Sequence, residues 1–195
     1  MRAPALTLTL TLTLLAPPLL PSPALAEDST PQTALASLPS PMADRITADP
    51  ARFANRALDM IHGHGRDGAL TAADVDRALA LERAFVRARA LRPMHEADLD
   101  NDGAVSADEI TARAAILGAD GRARLMRAHT DADSDGDTSV SATELRAAAD
   151  SAARSAVSNR AEAEARAILA FDLNADGRVI PAEITSSMAA LAQAG

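Results

Sequence analysis

Oxygen-bearing side chains recur at alternate positions in three places along the chain. Asp98, Asp100 and Asp102 are followed by Glu109, Asp133, Asp135 and Asp137 by Glu144, and Asp172, Asn174 and Asp176 by Glu183. The three segments, DLDNDGAVSADE, DSDGDTSVSATE and DLNADGRVIPAE, align without gaps as an internal repeat. Carboxylates crowded in this way repel one another unless a cation joins them. Sets built of oxygen donors suit a hard cation that takes six to eight oxygens in a loose cage.

The repeat resembles the EF-hand calcium loop, a loop of twelve residues between two helices. The resemblance implies side-chain oxygens from positions 1, 3 and 5: Asp98, Asp100, Asp102; Asp133, Asp135, Asp137; and Asp172, Asn174, Asp176. It implies a backbone carbonyl from position 7, which is Ala104, Ser139 or Arg178, and a two-oxygen carboxylate from position 12, which is Glu109, Glu144 or Glu183. Calcium, about three ions, is the expected cofactor.

The scaffold positions recur with the ligands. Position 6 needs φ > 0, which suits Gly103 and Gly177, whereas Thr138 in the middle loop is β-branched and strained there. That loop is expected to be weaker or to have a distorted turn. A register starting at Asp131 would put Gly136 at position 6, but it would place Ala142 at position 12 and Ser139 at the apolar position 8, so the Asp133 register is taken. Val105, Val140 and Val179 fill position 8, where paired loops form a short β-bridge, and Ile110, Leu145 and Ile184 open the core face of each exit helix. Ser106 with Glu109 and Ser141 with Glu144 have capping-box spacing, and Pro181 suits a first helical position.

These loops need helices on both sides. Ile168 and Phe171 lead into the last loop, on a helix expected to be capped by Asn159, and Met94 and Ala97 lead into the first full loop, with Pro93 kinking or starting their helix. His129 occupies the apolar slot before the middle loop. Hands work in pairs, and Gly63–Asp74, GHGRDGALTAAD, is a degenerate first hand. It keeps Asp67, Gly68, Leu70 and Asp74 but has Gly63 and Gly65 at positions 1 and 3. It is expected to bind little or no metal and to pair with the next loop through Leu70 and Val105. His62 and His64 lack a third close ligand and make a poor zinc or copper site.

The remaining chain frames these units. Residues 1–26 read as a secretory signal peptide, with Arg2, an apolar stretch from Ala5 to Ala16, and Ala24-Leu25-Ala26 before a mature start at Glu27. The apolar run is too short to span a bilayer, so no stable membrane anchor is expected after cleavage. Residues 27–50, with Pro31, Pro39, Pro41 and Pro50, read as a flexible linker. The formal charge is −8, every basic residue is an Arg, and the Arg residues are scattered, which argues against nucleic acid. The absence of Cys excludes disulfides, thiolate metal sites and a Cys nucleophile.

The expected fold is all-α, with two EF-hand pairs, 51–117 and 121–194, each joined by a short β-bridge. The expected function is calcium binding by an exported protein, periplasmic or secreted, acting as a buffer or as a module that calcium stabilises. The first alternative is a sensor that binds an unidentified partner's helix. Sensor grooves are often Met-rich, and Met42, Met60, Met94, Met126 and Met188 are spread widely. A lanthanide reading is weaker. Lanmodulins carry Pro at loop position 2, where this chain has Leu99, Ser134 and Leu173. No nucleophile elbow, phosphate loop or zinc signature is present, and nothing in sequence pairs with His95 or His129, so no enzyme is expected.

Overall fold

The first four helices begin where a side chain or a proline can start them. Thr30 accepts from the Thr33 N–H ahead of α1 (Pro31–Ala36), and Pro41 stands in the first turn of α2 (Ser40–Ala48). Asp49 caps α3 (Pro50–His64), accepting from the Arg52 N–H at 2.9 Å. Thr71 and Asp74 form a full capping box on α4 (Ala72–His95). Of the prolines that suggested a linker over 27–50, Pro31, Pro41 and Pro50 thus occupy first-turn positions, where the missing N–H costs nothing, and Pro39 is the N-cap of α2. The computed structural model describes residues 29–194. Within that range the linker expectation is corrected: α1 and α2 bury Ala34, Met42 and Ile46 in the core. The signal-peptide reading lies outside the described residues.

Two further helix–loop–helix units follow. Strand β1 (Val105–Ser106) leads into α5 (Ala107–Ala115), and α6 (Ala119–Ala132) runs to β2 (Ser139–Val140) and α7 (Ala142–Ala156). Then α8 (Asn159–Ala167), a 3-10 turn (Ile168–Phe171) and α9 (Pro181–Ala194) complete the last unit. The described residues are all-α apart from the two-stranded β1–β2 pair and isolated bridges. Ser158 rather than Asn159 caps α8, accepting from the Ala161 N–H. Pro93 sits inside the last turn of α4 rather than at a helix start. No helix among the described residues is long and apolar enough to cross a membrane.

The hands pair crosswise. Val105 pairs with Val140 between the second and third hands, and Leu70 bridges Val179 between the first and fourth. The expected partner of Leu70, Val105, is therefore wrong, and so is the division at residues 117–121. The cause is α4. It serves the first hand as exit helix and the second as entering helix without interruption, and its 24 residues span about 36 Å at 1.5 Å per residue. The first two loops stand at opposite ends of that rod and cannot meet.

The returning helices run antiparallel to α4, as the ion pairs show. Asp76 meets Arg166, Arg83 meets Glu162 at 2.5 Å, and Arg87 meets Asp150, so rising numbers on α4 match falling numbers on α7 and α8. Each end of this hairpin has its own core. One gathers α1, α2 and the first and fourth hands around Phe53 and Phe171, whose ring centroids are 5.4 Å apart. The other gathers the second and third hands around Met94, Val105, Ile110, Leu125, Val140 and Leu145. Val75, Ile110, Leu145 and Ile184, the first core residues of the exit helices, are all buried.

Candidate functional site

The three full loops fold by one hydrogen-bond scheme. At position 1, one carboxylate oxygen of Asp98, Asp133 and Asp172 accepts from the position 6 N–H of Gly103, Thr138 and Gly177, at 3.2, 3.0 and 2.8 Å. Position 3 accepts from the position 5 N–H: Asp100 from Asp102, Asp135 from Asp137, and Asn174 from Asp176. Position 5 accepts from position 7 in turn, so Asp102, Asp137 and Asp176 take the N–H of Ala104, Ser139 and Arg178, each at 2.8 Å. Each loop therefore curls around its own side-chain oxygens, and one ligand atom from each of Asp98, Asp100 and Asp102 lies within 4.8 Å of the others. Asp133, Asp135 and Asp137 make the same cluster.

The position 12 carboxylate ties the two ends of each loop together. Glu109, Glu144 and Glu183 accept through Oε1 from the position 2 N–H of Leu99, Ser134 and Leu173. Through Oε2 they accept from the position 9 N–H of Ser106, Ser141 and Ile180. The Ser106 and Leu99 N–H groups, with the Ser106 hydroxyl, hold the Glu109 carboxyl down to about 2. Glu144 is likewise held at about 2 by the Ser141 N–H, then by the Ser134 hydroxyl and N–H. The Ser134 bond has no counterpart in the other loops, where position 2 is Leu.

The middle loop keeps this scheme despite Thr138. Its glycine has moved two places, so Gly136 takes the left-handed turn at position 4 (φ 75°) and Thr138 takes the one at position 6 (φ 73°). The turn is not distorted, and the strain sits on the β-branched residue. His129 is buried in the slot before this loop, and its Nε2–H donates to the Val105 carbonyl at 3.2 Å. A ring that looked misplaced in an apolar slot thus joins the third hand to the strand of the second.

The first hand is built differently. Helix α3 runs on through Gly63 to His64, which removes position 1 from the loop. Asp67 (φ 51°) and Gly68 (φ 72°) then make a tight turn of the type I′ kind, closed by reciprocal Arg66–Ala69 backbone bonds. Asp74, at position 12, is 1% exposed. Its Oδ2 accepts from the Thr71 N–H and hydroxyl, and its Oδ1 from Arg66 Nε at 3.1 Å and from Arg77. The Thr71 hydroxyl and the Arg77 guanidinium, then the Thr71 N–H and Arg66, hold this carboxyl well below the usual range. Two guanidinium groups satisfy the carboxylate that a cation would otherwise need. This pairing was missed in the sequence, although Arg66 and Arg77 lie within eight residues of Asp74.

The donor sets of the full loops fit a hard cation. They are all oxygen, and Asp98 Oδ1 is buried with no hydrogen-bond partner. Residues 91–112, which contain that carboxylate and most of α5, match the protein-family model described as EF hand. The match supports an EF-hand family. No curated protein and no solved structure matches the chain. The EF-hand motif and the acidic clusters together suggest calcium binding. The first hand does not fit an ion, because Gly63 and Gly65 bring no side-chain oxygen and Asp74 is already neutralised. In the other three, positions 1, 3, 5 and 12 would hold the cation, which would supply the positive charge that these crowded carboxylates lack.

Proposed function

We propose that this is an exported calcium-binding protein that takes three calcium ions, in loops 98–109, 133–144 and 172–183. It would serve as a calcium buffer or as a module that calcium stabilises. The observation that carries the reading is the orphaned Asp98 Oδ1, a buried carboxylate oxygen with no donor to satisfy it, on a residue that clusters with Asp100 and Asp102. An anionic oxygen without a partner is costly to bury, and a divalent cation removes that cost. Export rests on the signal-peptide reading of residues 1–26, and external calcium is abundant enough for weak sites to fill.

Calorimetric titration of calcium into the chelator-treated chain tests this. Three ions per chain is the expected result, and no binding would overturn it. Chelation is also expected to lower the helical signal in circular dichroism, because each full loop then holds unneutralised carboxylates.

One feature favours the sensor alternative. A groove of about 670 Å³ opens between α4, α6 and α7, with Leu91, Met94, Leu117, Leu125 and Leu145 in its walls. A calcium-dependent rise in the fluorescence of a hydrophobic dye would support a partner helix there, and an unchanged signal would favour the buffer or module. The lanthanide reading finds no support in Leu99, Ser134 and Leu173 at position 2.

A further inference from the structure

A second cavity, of about 350 Å³, lies at the other end of the hairpin between α2, α3 and α8. Four guanidinium groups line it, from Arg45, Arg52, Arg56 and Arg160, against the two carboxylates of Asp49 and Glu164. Both carboxylates are already engaged. Asp49 caps α3, and Glu164, with its side chain 16% exposed, pairs with Arg45, with Arg56 at 2.5 Å and with Arg160 at 3.4 Å. Arg52 makes no ion pair with the described residues. The cavity thus carries an excess of two positive charges in a chain whose formal charge is −8.

Below the guanidinium groups the lining is apolar: Met42, Ile46, Phe53 and Ile168. Burial, and then the charges of Arg160, Arg56 and Arg52, lower the Arg45 pKa from its ordinary value. Guanidinium groups recognise carboxylate, phosphate and sulfate heads through paired N–H donors. A cavity of this size with apolar walls and a few convergent polar groups falls within the range of small-molecule sites.

We infer that this cavity binds a small amphiphilic anion, with its charged head among Arg52, Arg45 and Arg160 and its apolar tail against Phe53 and Ile168. The site is opposite in sign to the three acidic loops and shares no residue with them, so it can be tested with those loops filled. The same chemistry could come from a free inorganic anion, and the tail separates the two sources.

The test titrates octanesulfonate, inorganic sulfate and octanol separately into the full chain with calcium present, followed by calorimetry. One octanesulfonate per chain is expected, with sulfate and octanol each at least tenfold weaker. Arg52→Gln is expected to weaken octanesulfonate at least tenfold while leaving calcium stoichiometry unchanged. Arg160→Gln, whose side chain is 72% exposed, gives a second variant that does not threaten the fold. Absence of octanesulfonate binding, or binding unaltered in both variants, would overturn the site. Sulfate binding as tightly as octanesulfonate would overturn the amphiphile.

Discussion

Leu70 and Val179 exchange both backbone hydrogen bonds, N–H to carbonyl at 2.9 Å each way, so the degenerate first hand is latched to the fourth. Both side chains are buried among Ile61, Val75, Phe171 and Ile184. The fourth loop therefore depends on the first for its shape.

Leu70→Ala should lower the affinity of the fourth loop for calcium and leave the second and third loops unchanged. The loss of a fully buried Leu costs about 2–5 kcal/mol. Calcium titration followed site by site in amide NMR spectra checks this. A loss confined to the second loop would instead support pairing of Leu70 with Val105.

Replacing the position 12 carboxylates tests the ligand sets one at a time. Glu109→Gln, Glu144→Gln and Glu183→Gln should each remove one ion from the calorimetric count at moderate calcium, with at least a tenfold loss of affinity at the altered loop. A count that stays at three in all of them would mean that these residues tie the loops together but do not hold calcium.

Thr138→Gly should strengthen the third loop. It relieves a left-handed conformation that costs an L-residue about 1–2 kcal/mol, and about 1 kcal/mol corresponds to roughly a fivefold gain in affinity. The opposite change at position 136, Gly136→Thr, should weaken it, because it puts a β-branched residue at φ 75°. Stopped-flow release of calcium to a chelator gives the comparison.

Arg66→Ala should lower the melting temperature without changing the number of calcium ions, because it removes a donor from buried Asp74 and no ligand from a full loop. Asp74 also gives a pH dependence. Its carboxyl is depressed in the folded chain, so its contribution is fully present above the ordinary aspartate value of about 3.9 and is lost as pH falls below it. Acid titration of stability should show that loss in the parent chain and a smaller one in Arg66→Ala.

Gly65→Ala should be destabilising by about 1–3 kcal/mol, the usual cost of forcing extra volume into a packed site. An added Cβ would lie 2.4 Å from the Ala69 carbonyl oxygen and 2.5 Å from that of Ile61, and both are backbone atoms that cannot turn aside. Gly63→Ala, where a Cβ meets nothing within 4 Å, is the matched control and should be neutral or mildly stabilising. Thermal denaturation of the two variants decides it.

The sequence by itself determined the arrangements inside each full loop, which operate within about a dozen residues. The alternating oxygens, the position 6 turns, the Ser–Glu caps and the apolar position 8 are local arrangements, and their residue types declare them. The strain at Thr138 was legible for the same reason, but the distortion expected there does not occur, since the loop's hydrogen bonds hold the turn in place. The pairing of hands had a weaker signal: Ala72 to Arg92 contains neither Gly nor Pro, which is what one unbroken helix requires.

Only the tertiary structure decided which hands meet, because that depends on where the ends of a long rigid helix come to rest. It likewise decided the fate of residues 31–48, whose prolines read as breakers in isolation and become helix starters once Met42 and Ile46 have a core to enter. The crowding of Arg45, Arg52, Arg56 and Arg160 follows the same logic. These residues sit on three helices, and only the packing of α8 against α2 and α3 turns scattered charges into one cavity.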